Sequence, residues 1–270
     1  MAQANATTQK QQGFNWTILV IPVALIVSIC LFLFVFGKGS NFVNPETKDV
    51  ALPGNYMGLI YKGGFIVPIL LTFLLTVFTF SIERFLTINK ARGNGSLETF
   101  LQKIKTLLHN NDVNGAIAEC NKQKGSVANV VVEGLAKYQE MDKNTEFTLE
   151  QKVQHIQQEI EEATSLELPS LEQNLPILAT LASVSTLVAL LGTVLGMIRA
   201  FAAMAAAGTP DPGKLSQGIS EALINTAIGI GTSALAIIMY NIFTTMIDKL
   251  TYGIDEIGYS ISQTFSSTRK

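Results

Sequence analysis

Residues 175–207 read LPILATLASVSTLVALLGTVLGMIRAFAAMAAA and carry a single charge, Arg199. A membrane span needs about 20 predominantly apolar residues, so this stretch is long enough to cross a bilayer with length to spare. It is not a plain Leu/Val anchor. Ser185, Ala189, Gly192, Thr193, Gly196 and Ala200 follow one another at steps of four, three, one, three and four, which draws one stripe of small residues down a helix. Gly192 and Gly196 form GxxxG within it. Lipid tails are as apolar as leucine, so helices in a bilayer associate by close backbone approach, which small residues permit.

A second apolar stretch, 219–246, follows closely and has an acidic residue, Glu221, near its start. Gly218, Ala222, Asn225, Thr226, Gly229 and Ser233 form a matching small and polar stripe, with Glu221 one turn from Asn225. An ionised carboxylate at the centre of a span costs roughly 2.5–3.5 kcal/mol on insertion scales. It must therefore face protein or water, or stay protonated. Thr193 and Thr226 add hydroxyls able to relay hydrogen bonds in a narrow wet passage. A lone GxxxG reads as helix packing, with the threonines bonding their own backbones. Glu221 and Asn225 together, beside a second small-polar helix, tip the reading toward an ion path. Arg199 reads as an interfacial charge that snorkels to the bilayer surface.

Outward from this pair, two further spans are expected at 17–36, which has no charge, and at about 65–82, closed by Glu83 and Arg84. The first could instead be a signal peptide. Its apolar core exceeds the usual 7–15 residues, only Lys10 charges the region before it, and no A-x-A-like site follows directly, so a retained span is the expectation. Lys and Arg near the span ends favour a cytoplasmic side holding Arg84, Lys90 and Arg92, and also Lys249, Arg269 and Lys270. The 208–217 connection holds only Lys214. Lys38, Lys48 and Lys62 between the first two spans blur the signal.

The polar part, 84–174, is expected to be wholly helical. Leu97, Phe100, Leu101, Ile104, Leu107 and Leu108 recur at helical spacing after Ser96, placed to cap. Short helices are expected from Asp112 to before Gly125 and over 127–141. Thr148 and Gln151 read as a capping box. It opens a long helix whose Leu149, Val153, Ile156, Ile160 and Ala163 alternate spacings of four and three, as a packing seam does. Pro169 and Pro176 are expected to interrupt or kink it on the way into 175–207.

The whole chain is 48% hydrophobic and 15% charged, with a formal net charge of −2. Soluble domains carry roughly a quarter charged residues. There is no basic stretch with interleaved aromatics, so no nucleic-acid partner is expected. Cys30 and Cys120 make no disulfide framework, and His109 and His155 have no metal-ligand spacing. No cofactor or metal is expected. There is no GxxxxGK[ST], G-x-S-x-G or H-E-x-x-H; Gly37-Lys38-Gly39-Ser40 falls in a connecting loop. The chain is not expected to be an enzyme. Any work it does would draw on an ion gradient or a partner.

LLGTVLGMIRAF (190–201), DPGKLSQGIS (211–220) and EALINTAIG (221–229) closely resemble the ExbB/TolQ family of proton-channel motor proteins. The stretch NNDVNGAIAECNKQKGSVANVVVEGL (110–135) resembles that family's helical cytoplasmic segment. The resemblance covers roughly 64–250. It implies a pentameric ring of subunits around a lumen, holding a single-span ExbD/TolR-like partner, with a TonB- or TolA-like protein transmitting force. It also implies that Thr193, Glu221 and Thr226 fall on lumen-facing polar positions. Many relatives have three spans, so 17–36 looks like an extra helix on the outside of the ring. Where many have Pro and Gly before GTV, this chain has Thr186 and Ala189, and Thr186 would extend the polar lining.

The expectation is thus an all-α membrane protein whose long transmembrane helices extend into a helical cytoplasmic domain, assembled as an oligomeric ring. Its parts would be an N-terminal tail (1–16), spans at 17–36, 64–83, 175–207 and 218–247, periplasmic loops at 37–63 and 208–217, the cytoplasmic domain (84–174) and a cytoplasmic tail (248–270). Thr193, Glu221, Thr226, Asn225 and Thr186 are expected along an ion pathway, with Gly192, Gly196, Ala189 and Gly229 at helix contacts. The expected function is an ExbB-like subunit of an inner-membrane motor energising outer-membrane transport. A TolQ-like envelope role and a non-conducting scaffold are the alternatives.

Overall fold

The computed structural model describes residues 16–48, 50–206 and 212–268. Most of the N-terminal tail, with Lys10, the centre of the connection at 207–211, and Arg269 and Lys270 lie outside the described residues. The chain is an all-α membrane protein. Among the described residues, four helices are long and apolar enough to cross a bilayer. Among the described residues the β structure is one isolated bridge, Phe42 with Ala51. The helices are α1 (Trp16–Cys30), α2 (Tyr56–Lys62), α3 (Ile66–Arg92), α4 (Leu97–His109), α5 (Val113–Gln123), α6 (Ser126–Lys143), α7 (Leu149–Glu172), α8 (Leu175–Ala206) and α9 (Pro212–Thr268). They divide into two units. One holds the described residues up to Thr79 with Thr180–Ala236, and the other holds Phe80–Ala179 with Ile237–Lys270.

In the first unit, α1 passes directly into one stretch of π-helix, Leu31–Phe36, with Pro22 inside the α-helical part. Its side chains, among them Ile21, Val23, Ile26 and Phe34, are exposed, as suits a helix solvated by lipid. Its attachment is polar. Ser28 is fully buried, and its hydroxyl meets Thr72 Oγ1 of α3 at 2.7 Å and donates to the Pro68 carbonyl at 2.9 Å. The loop between α1 and α3 contains a short helix, α2, that no sequence signal marked. Asn55 caps it by accepting from the Met57 and Gly58 amides at 3.0 and 3.1 Å.

The second unit is built on large apolar side chains. Phe100, Ile104 and Leu108 of α4, Val127, Val131 and Leu135 of α6, and Ile156 of α7 are all buried. The caps follow the sequence closely. Asp112 accepts from Gly115 N at 2.8 Å, and Thr148 and Gln151 form the capping box in full. Ser96 occupies the N-cap position of α4, but its side chain makes no capping bond. The expected tail after 247 is the last part of α9. Ile254, Ile257, Ile261 and Phe265 are buried there, and Phe265 meets Tyr138 edge-on at 4.8 Å.

The proline expectation holds for Pro176, just after an interruption of the helix, and fails for Pro169. Pro169 sits inside α7 without ending it. The break falls at Gln173–Asn174, and Pro176 lies in the first turn of α8, where its missing N–H costs nothing. The carbonyls freed at this break are taken by Arg84, which is 2% exposed. Its Nη1 donates to Ser170 O at 3.2 Å and Leu171 O at 3.0 Å, and Nε donates to Glu83 Oε2 at 2.6 Å. Asn174 Nδ2 donates to the same carboxylate at 3.0 Å. The charged pair that marked the end of a span is therefore also the fastening of the α7–α8 joint.

Candidate functional site: the α8–α9 seam and the Glu221 carboxylate

The two small-residue stripes face each other in the first unit. Ser185, Ala189, Gly192, Gly196 and Ala200 of α8 are buried, as are Gly218, Ala222, Asn225, Gly229 and Ser233 of α9. A Cβ placed on Gly196 would lie 3.2 Å from the Gly218 carbonyl, and one on Gly192 would lie 3.0 Å from the Asn225 side chain. At Gly229 it would collide with the Ala189 methyl and sit 2.8 Å from the Ser185 carbonyl. Ser233 Oγ closes the seam by donating to the Ala182 carbonyl. Backbones meet here because no side chain stands between them.

Glu221 sits at one edge of this seam, its side chain 13% exposed. Its Oε1 accepts from Arg199 Nη1 at 2.7 Å. The guanidinium lies over the Phe65 ring at 4.9 Å, a favourable position for a cation. Arg199, its side chain 50% exposed, is thus tied at the edge of the seam by a carboxylate and a ring, contacts that its reading as an interfacial charge did not include. Lys62, at the end of α2, adds a second positive charge acting on Glu221. Gly64 makes the room. Its φ of +76° suits glycine, and a Cβ there would strike Glu221 Oε1. The doublet Gly63-Gly64 was the available sequence signal for this close approach.

Asn225 lies within the seam, between Gly192 and Gly63. It is completely buried, and neither its Nδ2 nor its Oδ1 has a hydrogen-bond partner. Thr226 is five residues from Glu221, about 140° further round the helix, and Thr193 is about 120° from Arg199. The threonines thus fall on the edge of the seam away from the ion pair. Thr186, seven residues before Thr193, shares its face. All three are half-buried. Thr193 Oγ1 donates to Leu190 O at 2.6 Å and Thr226 Oγ1 to Ala222 O at 3.1 Å, so each hydroxyl proton is engaged by its own helix. Thr193 borders an open apolar strip with Val194, Met197, Ile198 and Phe201. The sequence read these five polar residues as one lining. The structure brings Glu221 and Asn225 together on α9 and sets the three threonines on the other edge.

A family model, the MotA/TolQ/ExbB proton channel family, matches residues 123–256. This region belongs to that family. It takes in α6, α7 and the α8–α9 seam, so every residue of the seam, with Thr186, Thr193 and Thr226, falls within the MotA/TolQ/ExbB match. The chain is similar to the Tol-Pal system protein TolQ of Haemophilus influenzae, at 41% identity over 35% of this chain and 43% of the relative. It is also similar to TolQ of Pseudomonas aeruginosa, at 41% over 33% and 38%. The biopolymer transport protein ExbB of Salmonella typhimurium matches at 40% over 28% and 32%. These matches span about a third to two-fifths of the relatives' own lengths. Names of both kinds occur at similar identity, which is consistent with the ExbB/TolQ branch and does not divide the two.

Proposed function

We propose that this chain is the multi-pass, ion-conducting subunit of an ExbB/TolQ-type motor in a bacterial inner membrane, driven by the proton gradient. The observation that carries the reading is Glu221, a largely enclosed carboxylate in an apolar helix within the matched region. An intramembrane acid is costly, and it is retained where charge or protons move. Thr186, Thr193 and Thr226, on the seam's other edge beside an open apolar strip, are where a partner's single span would lie. In this reading five copies surround an ExbD/TolR-like protein, a TonB/TolA-like protein carries the force outward, and α4–α7 and the C-terminus are cytoplasmic.

The version we carry forward is ExbB-like, energising TonB-dependent uptake; a Tol-Pal role is separated from it by complementing strains that lack one system or the other. The first test is co-expression with a single-span partner bearing a membrane aspartate, followed by the native mass of the extracted complex and proton flux in vesicles. Glu221→Ala and Thr226→Ala should each abolish or cut flux at least tenfold with the complex still assembled. Full flux in both variants would overturn the reading. A scaffold would then take its place, since the small-residue stripes already pack against each other within one chain.

A further inference from the structure

Asn225 is the residue of the seam whose chemistry is unused. Burying an amide without partners costs about 1–3 kcal/mol, and nearly all buried polar groups in native structures are hydrogen-bonded. Both polar atoms of Asn225 are buried without a partner. If the position asked only for volume, valine or alanine would fill it without that cost.

The group able to satisfy this amide is one turn away. Glu221 and Asn225 are i and i+4 on α9, so their Cβ atoms are about 5–6 Å apart, within reach of a carboxyl–amide hydrogen bond. The carboxylate instead turns to Arg199 at 2.7 Å, in the space left open by Gly64. The charged groups facing it are Arg199 from α8 and Lys62 from α2. The α2–α3 junction offers only Gly64 and the Phe65 ring, and α9 offers neutral Ile224 and Asn225.

We propose that Asn225 is a second seat for the Glu221 carboxyl group, so that Glu221 alternates between Arg199 when ionised and Asn225 when protonated. On protonation a proton from the ion path joins the carboxylate, and the contact with the guanidinium breaks. The neutral acid swings one turn along α9, donates its O–H to Asn225 Oδ1 and accepts from Nδ2. Release of the proton reverses each step, and no other reactant is consumed. A neutral acid can leave Arg199 at small cost, whereas an ionised one leaving its partner in an apolar site cannot. The two seats are set by atoms in the first unit. Only the source of the proton rests on the motor reading.

The test is a pH titration of the full-length chain in lipid nanodiscs, following the protonated-carboxyl C=O band by infrared difference spectroscopy. The band is assigned to Glu221 by its loss in Glu221→Gln. Asn225→Val should raise the band frequency, because a hydrogen bond to the acid is lost. It should also move the pH midpoint down by about one pH unit, the worth of one such bond. Arg199→Gln should move the midpoint up, because the ionised form loses its partner, and Arg199→Lys should restore it. Asn225→Ala repeats the measurement if the valine variant does not fold. An unchanged frequency and midpoint without the amide, or midpoints moving the same way in the Asn225 and Arg199 variants, would overturn the second seat. Proton flux through the assembled complex is measured separately. If the wild type carries none, the motor reading fails while the band still decides the seat.

Discussion

The two units are held together by opposite means. The α8–α9 seam of the first is made of the smallest side chains, with backbones pressed together. The core of the second is made of Ile, Leu, Val and Phe, including Ile104, Leu135, Ile156, Ile257 and Phe265, all completely buried. The contrast follows from the solvent. Where water competes, removing apolar area drives packing at roughly 25 cal/mol per Å². Where lipid competes that drive vanishes, and contact comes from fit and hydrogen bonds. The first region should therefore be broken by adding atoms and the second by removing them.

Phe265→Ala tests the second half of that statement and should have the largest effect. It deletes a buried ring and its edge-on contact with Tyr138, so a loss of about 3–5 kcal/mol is expected. Denaturant unfolding of the detergent-solubilised protein, followed by far-UV circular dichroism, measures it. A loss under about 1 kcal/mol would mean that the end of α9 is not part of the core. Gly229→Val tests the first half. The added carbons meet Ala189 and the Ser185 carbonyl, and overpacking of this kind costs typically about 1–3 kcal/mol. Thermal unfolding should show the loss. An unchanged transition would mean that α8 and α9 are not in contact there.

How much of this was legible in the sequence depended on how local each signal is. The stripes, the Asp112 cap and the Thr148–Gln151 box involve residues a few positions apart on one helix, so spacing alone revealed them. Leu250, Ile254, Ile257, Ile261 and Phe265 are just as regular. They lie among Asp255, Glu256 and Ser260, and that polarity made a core helix resemble a tail. Arg84 and Arg199 were opaque for a different reason. Their partners, two carbonyls for Arg84 and a carboxylate for Arg199, lie 86–87 and 22 residues away, and no periodicity links a charge to a group on another helix. The site split in the same way. Periodicity chose the residues, but which edge of the seam each occupies required both helices to be in place.

Arg84 sharpens the comparison at the α7–α8 joint, where a charged group does what apolar volume does elsewhere in the second unit. Arg84→Leu keeps much of the volume but strands the Ser170 and Leu171 carbonyls. Charge-assisted bonds of this kind contribute about 1.5–3 kcal/mol, so a loss near 2 kcal/mol is expected, below that of Phe265→Ala. Arg84→Lys should recover only part of it, because one ammonium cannot reproduce the forked contacts. Full stability in Arg84→Leu would show that the break at Gln173–Asn174 holds without it.

The smallest effect belongs to Cys120 and appears only in alkali. Its thiol is 1% exposed, and burial pushes it from an ordinary 9.0 up to about 12. The fold therefore favours the protonated thiol. That contribution is complete below the unfolded value near 9 and is lost as pH rises from there toward 12. By pH 10 the loss should reach about 1.4 kcal/mol, and at pH 7 it should be absent. Cys120→Ala should flatten the decline between pH 8 and pH 10 without altering the pH 7 value by a comparable amount through ionisation. The same burial should leave Cys120 unreactive toward a water-soluble maleimide until the second unit unfolds. Rapid labelling of the native protein at Cys120, identified by peptide mass, would mean that the closely packed helices of that unit open far more readily than their buried aliphatic side chains suggest.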